Sequence, residues 1–380
     1  MTRSAAALAG TPRIFHLIDV AGTGGAETVF CQMVRFFDQR DENALTVLPG
    51  PGWIAEQLTG LRSEVRFVAS RGSFSRRLLT TLMELMRQSR ANIMVVHLLG
   101  SAAYAALTGL LMRRPVIAVF HGALDFEAPG RLSGLKRWLL GLGHVHVVAV
   151  SAGVKEALVA WGLRADRVRI IANGVDTAAF RPMASTAVRE ALGLPAEALI
   201  VGAVGNLHPV KGYELMLQAA ALVVQAQPHV HFVVAGEGDP VYQRELEQLR
   251  DQLGLQRHWH FLGFHTADGA HYSSLGLLVS AASSEGLPLS FLEAMACGVP
   301  IVATANEGST RLLDDARCGL SVPYGDPAAL AGAIMSVLGN EGLARELGEH
   351  GLQAVRQRYS LGATLAEYQR LINQLIQTQG

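Results

Sequence analysis

The chain has 380 residues, of which 50% are hydrophobic and 17% are charged. Because a chain of that length seldom folds around a single hydrophobic core, we expect two domains of similar size. The net charge of +0 hides an asymmetry, because residues 1–180 carry 20 basic and 13 acidic side chains and residues 181–380 carry 12 and 19. Three scattered cysteines and no uncharged apolar stretch longer than residues 98–112 exclude a disulfide scaffold and a membrane-spanning helix, which favours a cytoplasmic protein.

The first predicted strand covers residues 13–20 and runs into a glycine-rich loop, residues 21–27, followed by a helix. This order invites a dinucleotide-binding hypothesis, but Glu27 stands where the third glycine of that fingerprint belongs. The next predicted strand, residues 44–48, runs into Pro49 and Gly50 without the expected acidic residue. An NAD-dependent oxidoreductase is therefore disfavoured.

Further strands are predicted at residues 65–69, 93–97, 116–120 and 146–150, each followed by a helical stretch. Strands that alternate with helices indicate a parallel sheet covered on both faces. His121 directly follows one of these strands, at the edge where such sheets bind ligands.

Two segments of the first half are both basic and amphipathic. One is the predicted helix of residues 74–90, and the other contains Arg131, Lys136 and Arg137 among apolar residues. Such segments can lie on an anionic membrane surface, and they can equally pack their apolar face on their own sheet. Both interpretations remain open, and we expect no nucleic-acid partner.

The second half repeats the alternation after a turn at residues 173–176, and we place the domain boundary near residue 180, where the sign of the charge also changes. A strand at residues 199–205 leads to Lys211 and a helix over residues 213–225. Gly212 follows Lys211, so a Walker loop is excluded. A lysine at the start of a helix opposes the helix dipole unless an anion is present, and it therefore indicates a phosphate ligand.

Residues 277–304 are predicted to form a strand, a tight turn, a helix and a second strand. Pro288 is expected at the first helical position, and no side chain caps the amides before it. A bare helix N-terminus at the carboxyl end of a parallel strand is a phosphate site. Glu285 and Glu293 flank it, and carboxylates there would accept hydrogen bonds from sugar hydroxyls, unless both are ordinary solvated side chains.

The segment from Glu285 to Glu293, within EGLPLSFLEAMACGVPIVAT, resembles the paired-glutamate signature of the retaining glycosyltransferases of family 4, which have the GT-B fold. The NGVD turn at residues 173–176 is similar to the same family's. The resemblance implies an α/β protein of two Rossmann-like domains whose parallel sheets face each other across a cleft. It assigns residues 1–180 to an acceptor domain, residues 181–358 to a donor domain, and residues 359–380 to a helix that crosses back.

In that family the first glycine loop approaches the diphosphate and sugar of the donor, a role that falls to Gly24 and Gly25 here. The resemblance further implies that His121 contacts the transferred sugar and that Lys211 binds the donor diphosphate. Asn206 stands where the family has an arginine, so one positive charge on the leaving group is missing.

The same resemblance places Phe264 near the nucleotide base. Glu285 is expected to orient the sugar and Glu293 to hold the ribose. The backbone amides of Gly286 and Leu287 are expected to stabilise the leaving diphosphate together with the lysine.

We therefore expect a retaining hexosyltransferase that uses a nucleotide sugar and acts on a glycan or lipid-linked acceptor in cell-surface polysaccharide biosynthesis. No cofactor and no metal are expected, because the family implies none and the nearest approach to Asp-x-Asp is residues 125–127. A peripheral position on the inner face of the cell membrane stays open. The alternatives are a non-catalytic nucleotide-sugar-binding module, which Asn206 favours, and a hydrolase or epimerase on the same fold.

Overall fold

The structure, a computed structural model, describes residues 11–69, 75–127, 132–264 and 267–378. The chain divides into two compact units, one formed by Met1–Ala172 with Thr364–Gly380 and the other by Asn173–Ala363. Phe74 and Arg131 of the predicted basic segments lie outside the described residues.

The first unit contains a parallel sheet whose seven described strands follow the order β3-β2-β1-β4-β5-β6-β7. The strands are β1 Ile14–Leu17, β2 Asn43–Leu48, β3 Val65–Phe67, β4 Ile93–His97, β5 Val116–Phe120, β6 Val145–Ala149 and β7 Val168–Ile170. The helices are Gly25–Asp38, Trp53–Gln57, Arg76–Gln88, Leu99–Met112, Leu124–Glu127, Ser133–Leu140 and Ala152–Ala160, with a 3-10 turn at Ala165–Arg167. The strand order reverses between β1 and β4, which is where such sheets bind ligands.

Burial explains why these segments are strands. Every residue of β4 and β5 is buried, and most are β-branched or aromatic, because helices cover both faces of the sheet. The edge strand β3 is largely exposed and spans only three residues. The first strand ends at Leu17, earlier than predicted, and residues 18–20 join it to the glycine loop.

The second unit contains a parallel sheet whose six described strands follow the order β10-β9-β8-β11-β12-β13. The strands are β8 Leu199–Val204, β9 Val230–Ala235, β10 Trp259–Phe261, β11 Leu277–Ser280, β12 Ile301–Thr304 and β13 Gly319–Val322. The helices are Ala187–Ala191, Tyr213–Ala226, Pro240–Gln252, Gly269–Ser273, Leu289–Ala296, Ser309–Ala316, Pro327–Leu338 and Glu341–Arg358, with a 3-10 turn at Pro209–Lys211. Here the order reverses between β8 and β11, so this pair of strand ends is the expected ligand edge.

Local sequence signals account for several helix ends. Ser151 caps its helix by accepting a hydrogen bond from the backbone N–H of Val154 at 3.2 Å. The aspartates Asp239 and Asp326 cap the helices that follow them, each directly before a proline.

The last helix, Leu361–Gln377, completes the chain. From Thr364 onward its residues belong to the first unit, where Leu365, Tyr368 and Ile372 are buried. The hydroxyl of Thr364 donates a hydrogen bond to the carbonyl oxygen of Ala172 at 3.0 Å. None of the helices in the described ranges is long and apolar enough to cross a membrane.

Candidate active site

The helix Leu289–Ala296 begins at the carboxyl end of β11, and its first turn has no side-chain cap. Pro288 was predicted to be the first helical residue, and this is wrong. Its ψ of 126° is extended, so Pro288 is the N-cap. The proline therefore offers neither a side-chain acceptor nor an N–H of its own. The free backbone N–H groups of this helix remain directed at the ligand edge of the sheet.

Lys211 and Glu285, which are far apart in the sequence, meet at this edge. The ammonium nitrogen of Lys211 lies 2.6 Å from Oε1 of Glu285, and their side chains are only 29% and 13% exposed. Lys211 follows β8 and Glu285 follows β11, the two strands at the reversal point of the sheet. The topology thus brings together two residues for which the family resemblance implies contacts with the diphosphate and the sugar.

Gly212 sets the position of Lys211. Its φ is +66°, and a Cβ added to it would run into the backbone carbonyl of Ala281. Glycine at this point therefore lets the loop after β8 approach the end of β11 closely. The hydroxyl of Tyr213 then donates to the carbonyl oxygen of Gly205 at 2.7 Å, which closes the loop from the other side.

The backbone from Glu285 to Leu287 is held by two neighbours. The side-chain amide of Asn173, only 5% exposed, donates to the carbonyl oxygen of Leu287 at 3.0 Å. Gly308 packs so closely that a Cβ there would collide with the carbonyl oxygens of Glu285 and Gly286. These contacts preorganise the peptide groups that precede the helix.

Glu293 lies inside the helix and is not an ordinary solvated carboxylate. Its Oε2 accepts a hydrogen bond from the hydroxyl of the fully buried Tyr272 at 2.5 Å. Burial raises the pKa of Glu293 to about 7, and the hydrogen bond from Tyr272 opposes that rise. This carboxyl group changes its charge near neutral pH.

Two further residues assigned to the donor lie on the surface of the second unit. Asn206 is exposed on the loop after β8, and it also interacts with another group of the protein. The side chain of Phe264 is 50% exposed beyond β10, which leaves it accessible to a planar group such as a base.

In the first unit, Gly24 is the N-cap of the helix Gly25–Asp38, which starts after β1. A Cβ on Gly24 would press against the carboxylate of Glu27, which folds back over it, whereas a Cβ on Gly25 would meet open space. Burial raises the pKa of Glu27. A side chain at position 24 would therefore displace the carboxylate of Glu27, whereas one at position 25 would displace nothing.

His121, at the end of β5, stacks on His97, the last residue of β4. Nδ1 of His97 and Nε2 of His121 are 2.9 Å apart, and the ring centroids are 5.0 Å apart. Burial lowers the pKa of His121 to about 3, so its imidazole is neutral at physiological pH. It can exchange neutral hydrogen bonds there, but it is not a protonated acid.

Asp125 fixes the backbone at His121. Its carboxylate accepts hydrogen bonds from the N–H groups of His121 at 2.8 Å and Gly122 at 3.2 Å. Burial raises the pKa of Asp125 to about 6, the two hydrogen bonds lower it, and the charges of Glu27 and Asp19 raise it further. In the described ranges no group of three or more His, Cys, Asp or Glu side chains is placed to hold a metal ion.

No site role was predicted for His97, Asp125 and Asn173. The position of His97 was a usable signal, since His97 ends β4, and β4 lies next to the strand β5 that precedes His121. Asp125 lies four residues beyond His121, a spacing at which a carboxylate can bond back to a turn. Asn173 acts across the second unit on residue 287, and no local pattern reveals that contact.

Comparisons with known proteins agree with this architecture. The family model described as Glycosyltransferase Family 4 matches residues 23–179, and the one described as Glycosyl transferases group 1 matches residues 185–354. A D-inositol 3-phosphate glycosyltransferase of Acidothermus cellulolyticus is 35% identical over 196 residues, which are 49% of this chain and 44% of that protein. The chain thus aligns with about half the length of the curated relatives it matches.

Solved structures show the fold. Anabaena HepE in complex with UDP-glucose superposes with a TM-score of 0.83 at 22% identity, covering 97% of this chain and 98% of that one. Sucrose-phosphate synthase from Thermosynechococcus elongatus superposes with a TM-score of 0.78 at 21% identity, covering 97% and 100%. The predicted GT-B class, with two Rossmann-like units built on parallel sheets, is confirmed. Because the two family models together match most of its length, the chain belongs to family 4 of the glycosyltransferases.

Proposed function

We propose that the protein transfers a hexose from a nucleoside diphosphate sugar to an acceptor hydroxyl, with retention of configuration at the anomeric carbon. The observation that carries this proposal is the Lys211–Glu285 pair beside an uncapped helix N-terminus. UDP-glucose is the first donor to test, since it is bound in the structure of HepE.

The leaving diphosphate needs stabilisation of its charge more than it needs a strong acid. Lys211 supplies a cation, and the preorganised amides of Gly286 and Leu287 supply neutral donors. A diphosphate at the helix N-terminus would share the ammonium group with Glu285. The carboxylate, which can only accept hydrogen bonds, would then orient the sugar through its hydroxyls.

The proposed transfer is a same-face attack. The acceptor oxygen bonds to the anomeric carbon as the bond from that carbon to the diphosphate oxygen breaks, and the acceptor proton passes to the departing diphosphate. Any role of His121 would be that of a neutral group, because burial lowers its pKa to about 3 and it carries no acidic proton at neutral pH. Glu293 and Phe264 would hold the ribose and the base.

We also propose that no metal is required, since the residues assigned to the leaving group are a lysine and backbone amides. The acceptor is proposed to be a glycan or a lipid-linked intermediate of a cell-surface polysaccharide. Exposed basic residues of the first unit, among them Arg76, Arg77 and Arg137, support a cytoplasmic protein that meets an anionic membrane surface.

A second candidate is a module that binds a nucleotide sugar without turning it over. Asn206 favours it, because an exposed neutral side chain stands where the family places an arginine. Loss of one charge from the leaving group weakens transition-state stabilisation more than it weakens ground-state binding.

The test is thermal unfolding with UDP-, GDP- and ADP-glucose, together with release of the nucleotide. A donor at a hundred times its dissociation constant adds about 2.7 kcal/mol of stability. We expect stabilisation by one donor, at least tenfold weaker binding in Lys211→Met and Glu285→Gln, and no change in the control Lys155→Met.

Nucleotide release by the wild type, raised by a hydroxylated acceptor and lost in Glu285→Gln, would support the transferase. Binding without release under all acceptors tested would favour the non-catalytic module. No stabilisation by any of the three donors would contradict both.

A further inference from the structure

A cavity of about 420 Å³ lies within the first unit, at the carboxyl edge of β1, β2 and β3. The residues that follow these strands form one wall, and the helices Arg76–Gln88, Leu99–Met112 and Ser133–Leu140 form the others. The volume falls in the range of about 300–1,000 Å³ that is typical of small-molecule pockets. His121 is not part of its lining, so the cavity is distinct from the region assigned to the transferred sugar.

The lining is predominantly apolar. It includes Leu78 and Leu82 from one helix, Leu107 from the next, and Leu135 and Trp138 from the third. A glycan would leave many of its hydroxyls without partners against such a wall, at a considerable free-energy cost. An alkyl or isoprenoid chain has no such requirement and would gain from leaving water.

Two apolar side chains of the lining also reach the solvent. Leu135 and Trp138 are 49% and 59% exposed although they line it, and both lie on the helix Ser133–Leu140. Tryptophan is a residue that favours boundaries between an apolar phase and water. These two side chains therefore suit the entry of a chain from a lipid surface.

One part of the wall is polar and has unused hydrogen-bonding capacity. Oδ1 of Asp19 and Oγ of Ser101 are both buried and have no hydrogen-bond partner among the described residues. The carboxylate of Asp19 lies against Gly100, at a place where the Cβ of any other residue would collide with it. Burial raises the pKa of Asp19, whereas the neighbouring Ser101 and the charge of Lys136, which also lines the cavity, act to lower it. Buried polar atoms of this kind normally have a partner.

We infer that this cavity holds the apolar chain of an amphipathic acceptor, and that a hydroxyl of the acceptor's head group binds Asp19 and Ser101. The inference rests on the proposed function, because a transferase needs an acceptor that presents a hydroxyl. It narrows the acceptor from glycans in general to molecules in which a sugar or polyol head is joined to a single hydrocarbon chain.

The experiment is calorimetric titration of the intact protein with hexyl, octyl and decyl β-D-glucoside, each kept below its micelle concentration. Methyl β-D-glucoside carries the same head without the chain and serves as the reference. Burial of each added methylene should tighten binding roughly two- to fourfold. Methyl glucoside should show no measurable binding at the same concentrations.

Variants place the binding in this cavity. Ala103→Phe fills it from the helix Leu99–Met112 and should abolish binding of octyl glucoside. Leu111→Phe, on an exposed position of the same helix outside the lining, is the matched control and should bind as the wild type does. Asp19→Asn should weaken binding about fivefold at every chain length, because a charged acceptor is exchanged for a neutral one.

Equal binding of methyl and octyl glucoside, or wild-type binding by Ala103→Phe, would overturn the inference. Stabilisation by UDP-glucose is measured in parallel and depends on residues of the second unit. Donor binding without any glucoside binding overturns the cavity assignment and leaves the proposed function standing. Glucoside binding that depends on chain length, without donor binding, supports the cavity assignment and overturns the proposed function.

Discussion

At the scale of single residues, the environment of each carboxylate decides what it can do. Glu285 pairs with Lys211 at 2.6 Å, whereas Glu293, eight positions later, is partly buried and accepts a hydrogen bond from the hydroxyl of Tyr272. The spacing of the two glutamates indicated a shared ligand. Only the packing shows that one is held by a cation and the other has its pKa raised to about 7.

Glu293 leads to a prediction about donor binding. UDP-glucose should bind several-fold more tightly at pH 8 than at pH 6, because above about 7 the carboxylate is ionised and accepts hydrogen bonds from the ribose more strongly. Calorimetric titration at both pH values measures this. UDP-glucose is preferred to UDP because it has no terminal phosphate that titrates near pH 6.

Glu293→Gln should bind more weakly and show no such pH dependence. An unchanged slope in this variant would separate Glu293 from the ribose and return it to a structural role with Tyr272.

At the scale of elements, glycines position loops where two backbone segments come close together. Gly212 and Gly193 both have positive φ, +66° and +61°, but only Gly212 has a neighbour where a Cβ would stand. The loop that carries Lys211 therefore depends on a contact with β11 and its following residues. A left-handed turn on open surface carries no such dependence.

The two glycines form a matched pair for mutation in one unit. Gly193→Ala should cost about 1 kcal/mol, the penalty of a left-handed conformation for alanine. Gly212→Ala should cost about 3 kcal/mol or more, because the backbone of Ala281 must also move, and it should weaken donor binding through Lys211. Urea unfolding and donor titration measure the two effects. Equal costs for both variants would show that the approach to Ala281 relaxes freely.

At the scale of the whole molecule, buried histidines set the response to acid. His16 and His97 are fully buried in the first unit, and burial lowers the pKa of His16 to about 3 and that of His97 well below its ordinary value. The unfolded chain, with ordinary values near 6.5, binds more protons in this range, so stability falls as the pH drops below about 6.5. Asp125 and Glu293, whose pKa values are raised, act in the opposite sense.

We predict that His16→Leu moves acid unfolding to lower pH. Between pH 6.5 and 4 the wild type should lose about 3 kcal/mol more stability than this variant, since both ring nitrogens of His16 are buried without a partner among the described residues. Denaturant unfolding at a series of pH values measures the difference. His229→Leu, at an exposed position, is the control and should follow the wild type.

Much of the architecture was predictable because it depends on short-range patterns. Buried parallel strands are continuous apolar runs, and their helices follow at once, so β4 and β5 were predicted with the bounds that the structure shows. The position of Pro288 was predicted one step too far into the helix, because proline suits both the first helical residue and an extended N-cap. Its ψ is set by the turn before it.

The sequence by itself determined the family, the two parallel sheets and the strand ends that bear Lys211, Glu285 and His121. These features follow from local periodicity and from motifs, which a single segment of sequence contains. Tertiary structure alone decided the order of the strands, the Lys211–Glu285 contact and the stacking of His121 on His97. It also decided the apolar cavity beside Asp19. Contacts of that kind join residues far apart in the chain, and their energies depend on burial, which no single segment encodes.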